Sequence, residues 1–536
     1  MASNSLGIEA TAGEAAVDRV VGEYQGDGTY AATGSGSDGE GVQDQLEVIF
    51  DKQHGTRRRA SLAPGGGSAS RRPTSSRQKT SCFVHALLEE KSKSGHWTPS
   101  AEALAQARPA DKASPVVPNG GGGGGGGGAD GAVTPKPTQS RLLTKKQLSD
   151  MAFGIRELSK KLGHLRMLLK VRHVFLLTKA RDAQLVQNTR HVTEWLLRQT
   201  NSEGTPYTVW VEETMRDSPA FDAPGLLAQH PDACKDRLKY WTNELCARKP
   251  HTFDICLALG GDGTVLYASW LFQRVVPPVM SFALGSLGFL TKFDFAAYPA
   301  ILTQAFSTGI TVSLRLRFEA TIMRSRPRAT AEAQSARDLV DELIGDATDD
   351  VTTHSPGPSH NILNDIVLDR GPNGTMSSIE VFGDEEHFTT VQADGICVAT
   401  PTGSTAYNLA AGGSLCHPDN PVILVTAIAP HTLSFRPIIL PDTIVLRIGV
   451  PYDARASCWA SFDGKERSEL KPGDYCTISA SRFPFPSVLP LNRRSEDWVE
   501  SISRTLNWNN RQRQKAFDRE EERGKERKEL REKGET

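Results

Sequence analysis

The sequence of 536 residues lacks three features, each of which would indicate a class of protein. No stretch approaches the ~20 consecutive apolar residues that a transmembrane helix needs, which argues against a membrane protein. Neither sign of charge dominates, because 62 basic residues balance 63 acidic ones, so no overall field favours nucleic acid or a membrane surface. The eight cysteines form no C-x-x-C pair, which is typical of reduced thiols rather than of a disulfide framework. We therefore expect a cytoplasmic protein whose partners are small molecules.

The two ends of the chain have little apolar content. Residues 1–141 are rich in Gly, Ser, Ala and Pro and contain an unbroken glycine run over residues 120–128. Such a segment buries too little apolar area to offset its conformational entropy, so we predict that it is disordered. It contains a G-x-G-x-x-G match at residues 34–39, but no strand precedes the match and no helix follows it, so we attribute it to chance. Residues 511–536 alternate in charge and are predicted to form a charged tail.

Between these ends, the pattern of apolar residues changes once. Residues 142–305 alternate between strand and helix patterns after an opening helix predicted to run, with one interruption, to Leu169, which indicates an α/β domain with a parallel sheet. Residues 306–488 read as strands joined by turns, beginning with a period-two strand over residues 311–318, which indicates a β-rich domain. A polar stretch near residues 324–359 is expected to be a surface insertion, with a short helix around residues 339–344.

The most informative motif is a glycine turn that contains a carboxylate. An apolar strand over residues 255–259 leads into Gly260-Gly261-Asp262-Gly263-Thr264, where a helix begins. Glycines at a strand-to-helix turn let a phosphate approach the backbone N–H groups. The carboxylate of Asp262 would repel that phosphate, so it is expected either to hold Mg²⁺ or to accept a proton from an attacking hydroxyl. A β-turn without chemistry is the simpler alternative.

A second glycine turn follows the next strand of the predicted sheet. Residues 278–282 form an apolar run that ends at residues 285–290, which contain two glycines and Phe289. Because ligands bind at the carboxyl ends of strands in open α/β sheets, we expect the two glycine turns to face one crevice.

Two further motifs combine apolar strands with polar residues. Asp394 precedes the strand at residues 396–399, which ends in a turn with Thr402, Ser404 and Thr405 that either caps a helix or binds a nucleotide. Asn364-Asp365 interrupts the apolar run 362–368, so one polar side chain of the pair must face inward. A ligand or a structural salt bridge would each provide the partner that this side chain needs.

In these three motifs, taken in order, the chain resembles the ATP-dependent NAD kinases, and most closely the fungal members. Residues 412–413, 434–438 and 461–465 match further blocks of that family, and the resemblance extends over about residues 142–509. It implies an α/β nucleotide domain, a β-rich (β-sandwich-like) domain that binds NAD, and a C-terminal segment, residues 489–510, that returns to the first domain. It also implies a homo-oligomer.

The resemblance implies a reaction and a set of site residues. The 2′-hydroxyl of the adenosine ribose of NAD would attack the γ-phosphorus of ATP in the presence of Mg²⁺, with Asp262 accepting the hydroxyl proton. No protein ligand to the metal is assigned. The residues expected to bind NAD or ATP are Gly261, Asp262, Gly263, Thr264, Phe289, Asn364, Asp365, Asp394, Thr402, Gly403, Ser404, Thr405, Ala406 and Tyr407. The chain departs from the family at Asp365, where many members have the longer Glu, and at Gln392, where some bacterial members have Arg.

Two other functions are compatible with parts of the sequence. A lipid kinase of the diacylglycerol or sphingosine type would share the glycine turn around Asp262, but it leaves Asn364-Asp365 and the Asp394 motif unexplained. A non-catalytic NAD-sensing module would bind the dinucleotide without turnover, and the presence of Asp262 argues mildly against it.

Overall fold

The computed structural model describes residues 139–507, apart from residues 180–181, 202, 235, 329–336, 345–349, 433 and 491–495. Residues 1–138 of the segment predicted to be disordered, and the charged tail over residues 511–536, lie outside the described residues. The helices are α1 Lys145–Leu162, α2 Ala183–Leu197, α3 Ala223–Gln229, α4 Pro231–Cys234, α5 Asn243–Arg248, α6 Asp262–Leu271, α7 Tyr298–Thr308, α8 Leu339–Leu343, α9 Asp350–Thr353, α10 Tyr407–Ala410 and α11 Glu496–Leu506. The 3₁₀ turns are Ser140–Leu142, Glu213–Asp217, Pro250–Thr252, Phe295–Ala297 and Thr402–Thr405.

The strands fall into two sheets. They are β1 His173–Thr178, β2 Thr208–Glu212, β3 Leu238–Trp241, β4 Ile255–Gly260, β5 Val279–Ala283, β6 Phe293–Asp294, β7 Thr311–Arg315, β8 Phe318–Ser325, β9 His354–Ile362, β10 Asp365–Asp369, β11 Ser377–Gly383, β12 Glu386–Ala399, β13 Val422–Pro430, β14 Ile438–Pro441, β15 Leu446–Gly449, β16 Cys458–Phe462, β17 Glu466–Leu470, β18 Tyr475–Ala480 and β19 Phe485–Leu489. No described helix has both the length and the apolarity to cross a membrane.

The first sheet has the order β3-β2-β1-β4-β5-β19-β7, with β6 paired to β5. Strands β1 to β5 pair in parallel, as the alternation of strands and helices predicts. Both faces are covered, because Val174 and Leu176 of β1 lie in one hydrophobic cluster while Phe175 and Leu177 lie in another. A strand that is buried on both faces must be apolar throughout, which explains the continuous apolar runs of β1 and β4.

The second sheet is antiparallel and contains eleven strands. Its order is β17-β16-β10-β12-β11-β15-β18-β8-β9, and β13 pairs with both β12 and β14. One hydrophobic cluster, which includes Phe318, Ile366 and Ile396, forms its core. The predicted combination of an α/β domain with a β-rich domain is therefore confirmed.

The chain passes from the first sheet to the second at Leu316 and Arg317. The single strand predicted over residues 311–318 is wrong, because β7 pairs with β19 in the first sheet whereas β8 begins the second. The side chain of Arg317 is fully buried at the crossing. Its guanidinium donates to the carbonyl oxygens of Phe272, Gln273 and Phe483, at 3.0, 3.0 and 2.6 Å. Arg317 therefore ties the second sheet to the C-terminal end of α6.

Two further sequence predictions differ from the structure in detail, and a third is confirmed. The opening helix ends at Leu162 rather than continuing to Leu169, because Gly163 follows it and Met167 already pairs with Ile310. The strand predicted at residues 396–399 is the end of the long strand β12, which begins at Glu386. The short helix predicted in the insertion is confirmed as α8, and its Leu339 and Leu343 are buried in a small cluster.

Candidate active site

The two glycine turns lie side by side at one edge of the first sheet. Strands β4 and β5 are parallel neighbours, and their last residues, Gly260 and Ala283, are in register. The turns that follow each strand therefore leave the sheet at the same place. This arrangement confirms that the two turns lie together at the carboxyl ends of their strands.

The carboxylate of Asp262 joins the two turns. Its Oδ1 accepts hydrogen bonds from the backbone N–H groups of Leu290 and Thr291, at 3.0 and 3.1 Å, and from the Thr291 hydroxyl at 3.3 Å. Its Oδ2 accepts one, from the N–H of Phe289 at 2.9 Å. The two oxygens are therefore unequal, because Oδ1 is crowded with donors and Oδ2 keeps more of its lone-pair capacity.

Gly288 makes this junction possible. A Cβ at residue 288 would lie 2.2 Å from Oδ1 of Asp262, closer than any real contact. The N–H of Gly288 also donates to the hydroxyl of Thr291 at 2.8 Å, which fixes the turn that holds the carboxylate. Glycine at this position is required because the carboxylate occupies the space that a side chain would fill.

The Asn364-Asp365 pair is held by a residue that sequence reasoning did not place in the site. Asp463 lies in the turn between β16 and β17 and is 9% exposed. Its carboxylate accepts the backbone N–H groups of Leu363, Asn364 and Asp365, at 2.9, 2.7 and 3.2 Å. The Asp-Gly turn at residues 463–464 was the available signal, since it lies in one of the blocks that resemble the family.

Asp365 is a buried carboxyl group beside another. It is 7% exposed, and burial, together with the neighbouring carboxylate of Asp463, raises its pKa to about 7. The backbone N–H of Tyr407 donates to Asp365 and opposes this increase in the pKa. The contact also links the Asn-Asp pair to the start of α10. A ligand that donates hydroxyl groups would favour the ionised form of Asp365.

The turn after β12 packs closely against Asn364. The N–H of Thr400 donates to the carbonyl oxygen of Asn364 at 2.8 Å. A Cβ at Gly403 would lie 2.1 Å from the same oxygen, so only glycine fits there. Leu363 packs in one hydrophobic cluster with Val265 and Leu290, which places this turn next to the two glycine turns.

The hydroxyl residues of this turn do not all have the same role. Ser404 is fully buried, and its hydroxyl donates to the carbonyl oxygen of Cys416 and accepts the Cys416 N–H, both at 3.0 Å. Thr405 donates to the carbonyl oxygen of Thr402 at 3.4 Å. The hydroxyl of Ser404 is therefore committed to the fold, and Ala406 and Tyr407 follow it toward the surface.

Three buried side-chain oxygens at the site have no hydrogen-bond partner among the described residues. They are Oγ1 of Thr264, Oδ1 of Asn364 and Oγ1 of Thr402, in residues that are 3%, 9% and 5% exposed. Each belongs to one of the three sequence motifs. A buried polar atom without a partner costs about 1–3 kcal/mol, so such a cluster indicates a site completed by a ligand.

Asp394 and Tyr407 line a cavity of about 620 Å³ on the surface of the second sheet. Asp394 forms an ion pair with Arg370 at 3.0 Å. The ring of Tyr407 is 44% exposed, and Trp459 adds a second aromatic side chain to the wall. This cavity offers aromatic surface and a carboxylate, which are the groups that bind a nucleobase and its amino or amide substituents.

Two family models match the chain. The model described as the ATP-NAD kinase N-terminal domain matches residues 174–310, and the model described as the ATP-NAD kinase C-terminal domain matches residues 363–489. The first range contains Asp262 and both glycine turns. The second contains the Asn364-Asp365 pair, the turn after β12 and Asp463.

Several known proteins are similar to this chain. An NAD(+) kinase of Saccharomyces cerevisiae is 42% identical over 372 residues, which cover 69% of this chain and 66% of the relative. An ATP-NADH kinase of the same yeast is 40% identical over 368 residues, covering 69% and 70%. An uncharacterized kinase of Schizosaccharomyces pombe is 42% identical over 364 residues, covering 68% and 86%.

A solved structure is also similar. The yeast NADH kinase complexed with NADH is 26% identical and has a TM-score of 0.50, with 66% of this chain and 93% of the solved chain covered. The two family models together lie in both domains and include all three motifs, whereas the lipid-kinase alternative rested on the glycine turn alone. The chain therefore belongs to the ATP-NAD kinase family.

Proposed function

We propose that this chain transfers the γ-phosphate of ATP to the 2′-hydroxyl of the adenosine ribose of NAD, producing NADP and ADP. The observation that carries the proposal is the set of three buried oxygens without partners, on Thr264, Asn364 and Thr402. One lies at the predicted phosphate-binding turn and two at the predicted dinucleotide site. A substrate that accepts hydrogen bonds from the two hydroxyl groups and donates one to the Asn364 oxygen recovers the free energy that these unpaired groups cost the free protein.

In this proposal the proton of the attacking hydroxyl passes to Oδ2 of Asp262. Among the residues that the structure describes, Oδ2 accepts one N–H, that of Phe289, while Oδ1 accepts three donors. The N–H groups fix the carboxylate in position before the substrate arrives, and a positioned base contributes about 10²–10⁴-fold to a rate. Gly261 and Gly263 leave the N-terminal end of α6 open to a phosphate.

Mg²⁺ is proposed to enter with ATP. The carboxylates of Asp262 and Asp463 already accept hydrogen bonds from several N–H groups, so few of their lone pairs are free to coordinate a metal. This donor set fits Mg²⁺ held mainly by phosphate oxygens and water, with Asp262 as the available protein carboxylate. When bound, the ion supplies charge that stabilises the transferring phosphoryl group.

The dinucleotide is proposed to bind Asn364, Asp365 and the turn 402–406, and to reach Asp394 and Tyr407. Ribose hydroxyls would donate to Asp365 and to the free Oδ1 of Asn364, and an aromatic base would lie against Tyr407. Phe289, half-buried in the second glycine turn, would provide an apolar wall. These contacts use the residues that lie in the crevice rather than the hydroxyl of Ser404.

The test is NADP formation from NAD, ATP and Mg²⁺ by the full chain, beside the variant Asp262→Asn. We expect the variant to bind NAD and to turn over at least ~100-fold more slowly. Since the amide NH₂ of Asn cannot accept the Phe289 N–H, Asp262→Asn also weakens the junction of the two turns. Thr291→Val separates the two effects, because it removes the hydroxyl that donates to Asp262 and leaves the carboxylate in place.

The outcomes are distinct. Slow turnover in Asp262→Asn with near-normal turnover in Thr291→Val supports the role as a base. Equal losses in both variants would assign Asp262 to holding the turns. NAD binding without any NADP formation by the unmodified chain would replace the proposal with the NAD-sensing module. Asp222→Asn is a matched control. Like Asp262, Asp222 lies at the start of a helix and its carboxylate accepts a backbone N–H, that of Gly225 at 3.0 Å.

We also propose that the protein acts in the cytoplasm as a homo-oligomer. The seven described cysteines are all buried and free, which is typical of a reducing compartment. The oligomer is supported by the resemblance to the family. Fluorescence microscopy of the tagged full chain and sedimentation of the purified protein test the two statements separately.

A further inference from the structure

Two lysines from different sheets lie near α6 and the glycine turn that precedes it. Lys179 directly follows β1, and the preceding Thr178 is in register with Leu259 of β4, one residue before Gly260. The Thr178 hydroxyl donates to the carbonyl oxygen of Leu259 at 3.0 Å, which fixes the ends of the two strands together. Lys179 is exposed at this edge of the first sheet.

Lys465 approaches α6 from the second sheet. It is the last residue of the tight turn between β16 and β17, and its N–H donates to the carbonyl oxygen of Phe462 at 2.9 Å. Its ammonium lies 4.8 Å from the centre of the Tyr267 ring on α6, the helix that begins at Asp262. The same turn contains Asp463, which holds the Asn364-Asp365 pair.

The two ammonium groups are not neutralised by the protein. Neither forms an ion pair with any of the described residues within 4.0 Å. Desolvation lowers the pKa of Lys465, the positive charge of Lys179 lowers it further, and Asp463 opposes both. Since Asp463 gives its oxygens to three N–H groups, it compensates this charge only in part. Both lysines are exposed, so their positive charge is available to an anion.

The space beside these lysines is open. A Cβ added at Gly261 or at Gly263 would meet no atom within 4 Å. The N–H groups of Asp262 and Gly263 begin α6 and have no acceptor one helical turn earlier, whereas that of Thr264 donates to the carbonyl oxygen of Gly261 at 2.9 Å. The backbone of the glycine turn is therefore accessible to a phosphate.

We propose that Lys179 and Lys465 form a clamp, one lysine from each sheet, for the polyphosphate chain of the phosphoryl donor. This inference rests on the proposed function and deepens it by naming what recognises the donor. Ammonium groups bind phosphates through their charge and do not distinguish one nucleobase from another. The clamp therefore recognises inorganic tripolyphosphate as well as ATP, and it links donor binding to the relative position of the two sheets.

The experiment measures binding directly, by calorimetry on the full chain at low ionic strength, with MgATP, inorganic tripolyphosphate and NAD as separate probes. Lys465→Met and Lys179→Met each remove one charge and keep the length of the side chain. We expect each to weaken both ATP and tripolyphosphate by about tenfold, while the affinity for NAD stays within about twofold. Lys465→Arg keeps the charge and is expected to retain most of the affinity.

Lys239→Met is the matched control. Lys239 also lies over an aromatic ring, that of Trp210 at 5.5 Å, but on β3, three strand positions from β4. We expect it to change no affinity. Both lysines are exposed, so their single Met variants are expected to unfold at nearly the same urea concentration as the unmodified protein. An unchanged urea midpoint shows that a loss of donor affinity does not come from misfolding.

The outcomes separate the two proposals. Unchanged affinity for ATP and tripolyphosphate in folded Lys465→Met and Lys179→Met overturns the clamp, even if the chain makes NADP. Weakened tripolyphosphate binding in both variants supports the clamp, even if the chain makes no NADP and the proposed function fails. Equal weakening of NAD and of the donor would overturn it as well, since that result indicates a general disturbance of the crevice.

Discussion

Asp365→Asn is expected to make the free protein more stable and less active. The unfolded chain releases the Asp365 proton near pH 3.8, whereas the folded chain retains it to about pH 7. Between these values the folded state binds more protons than the unfolded state, so this group lowers the free energy of unfolding as the pH rises. A difference of about three between the two pKa values corresponds to about 4 kcal/mol, reached gradually at about 1.4 kcal/mol per pH unit.

Asparagine does not ionise, so the free energy of unfolding of the variant does not decrease in this way as the pH rises. The difference in unfolding free energy between Asp365→Asn and the unmodified protein should grow between pH 4.5 and pH 7 and then level off. Urea unfolding followed by tryptophan fluorescence at several pH values measures it, with the exposed Asp217→Asn as a control whose effect should not vary in this way. A difference that is the same at pH 5 and pH 8 would refute the reasoning. NAD affinity should fall in the variant, because the carboxylate that receives the ribose hydroxyls is gone.

Two further substitutions test the geometry around the glycine turns. Gly288→Ala should lower turnover by about tenfold or more with NAD binding retained, because the added Cβ would lie 2.2 Å from Oδ1 of Asp262 and displace the carboxylate. Ser286→Ala in the same turn is the control. Equal turnover in the two variants would contradict the prediction. Arg317→Met should reduce the free energy of unfolding by about 3 kcal/mol or more, because it leaves buried carbonyl oxygens of the α6 end without their donors. An unchanged urea midpoint, in comparison with the exposed Arg248→Met, would show that Arg317 does not hold the sheets together.

The parts of the site that could be predicted from the sequence are those with a local pattern. A covered parallel strand is a continuous apolar run, and a strand-to-helix turn needs glycine, so the region around Asp262 is readable without the fold. That the turn around Phe289 lies beside it also follows from the sequence, because consecutive parallel strands are usually neighbours. The sequence does not predict that the carboxylate of Asp262 holds the two turns together through hydrogen bonds.

The contacts that could not be predicted join residues far apart in the chain. Asp463 holds residues almost a hundred positions earlier, and Lys465 lies over the ring of Tyr267, almost two hundred positions earlier, so no local pattern records either contact. The crossing at Arg317 was missed for another reason. Residues on both sides of it alternate with the same period, and periodicity does not tell which sheet a strand joins. The burial of an arginine between two strands is explained only by the contacts that its guanidinium makes in the folded protein.

The position of β19 constrains the order in which the protein can form during synthesis. This strand lies between β5 and β7, pairing with both, yet it is made after every strand of the second sheet. Until it arrives, β7 has no partner strand among the described residues, and β5 lacks the neighbour that pairs with it at Val279. Native pairs such as Val279 with Ser487 are separated by about two hundred residues, and contacts of such high sequence separation slow folding. The first domain therefore cannot be completed as it leaves the ribosome, and its last place in the sheet is filled only when the second domain has been synthesised.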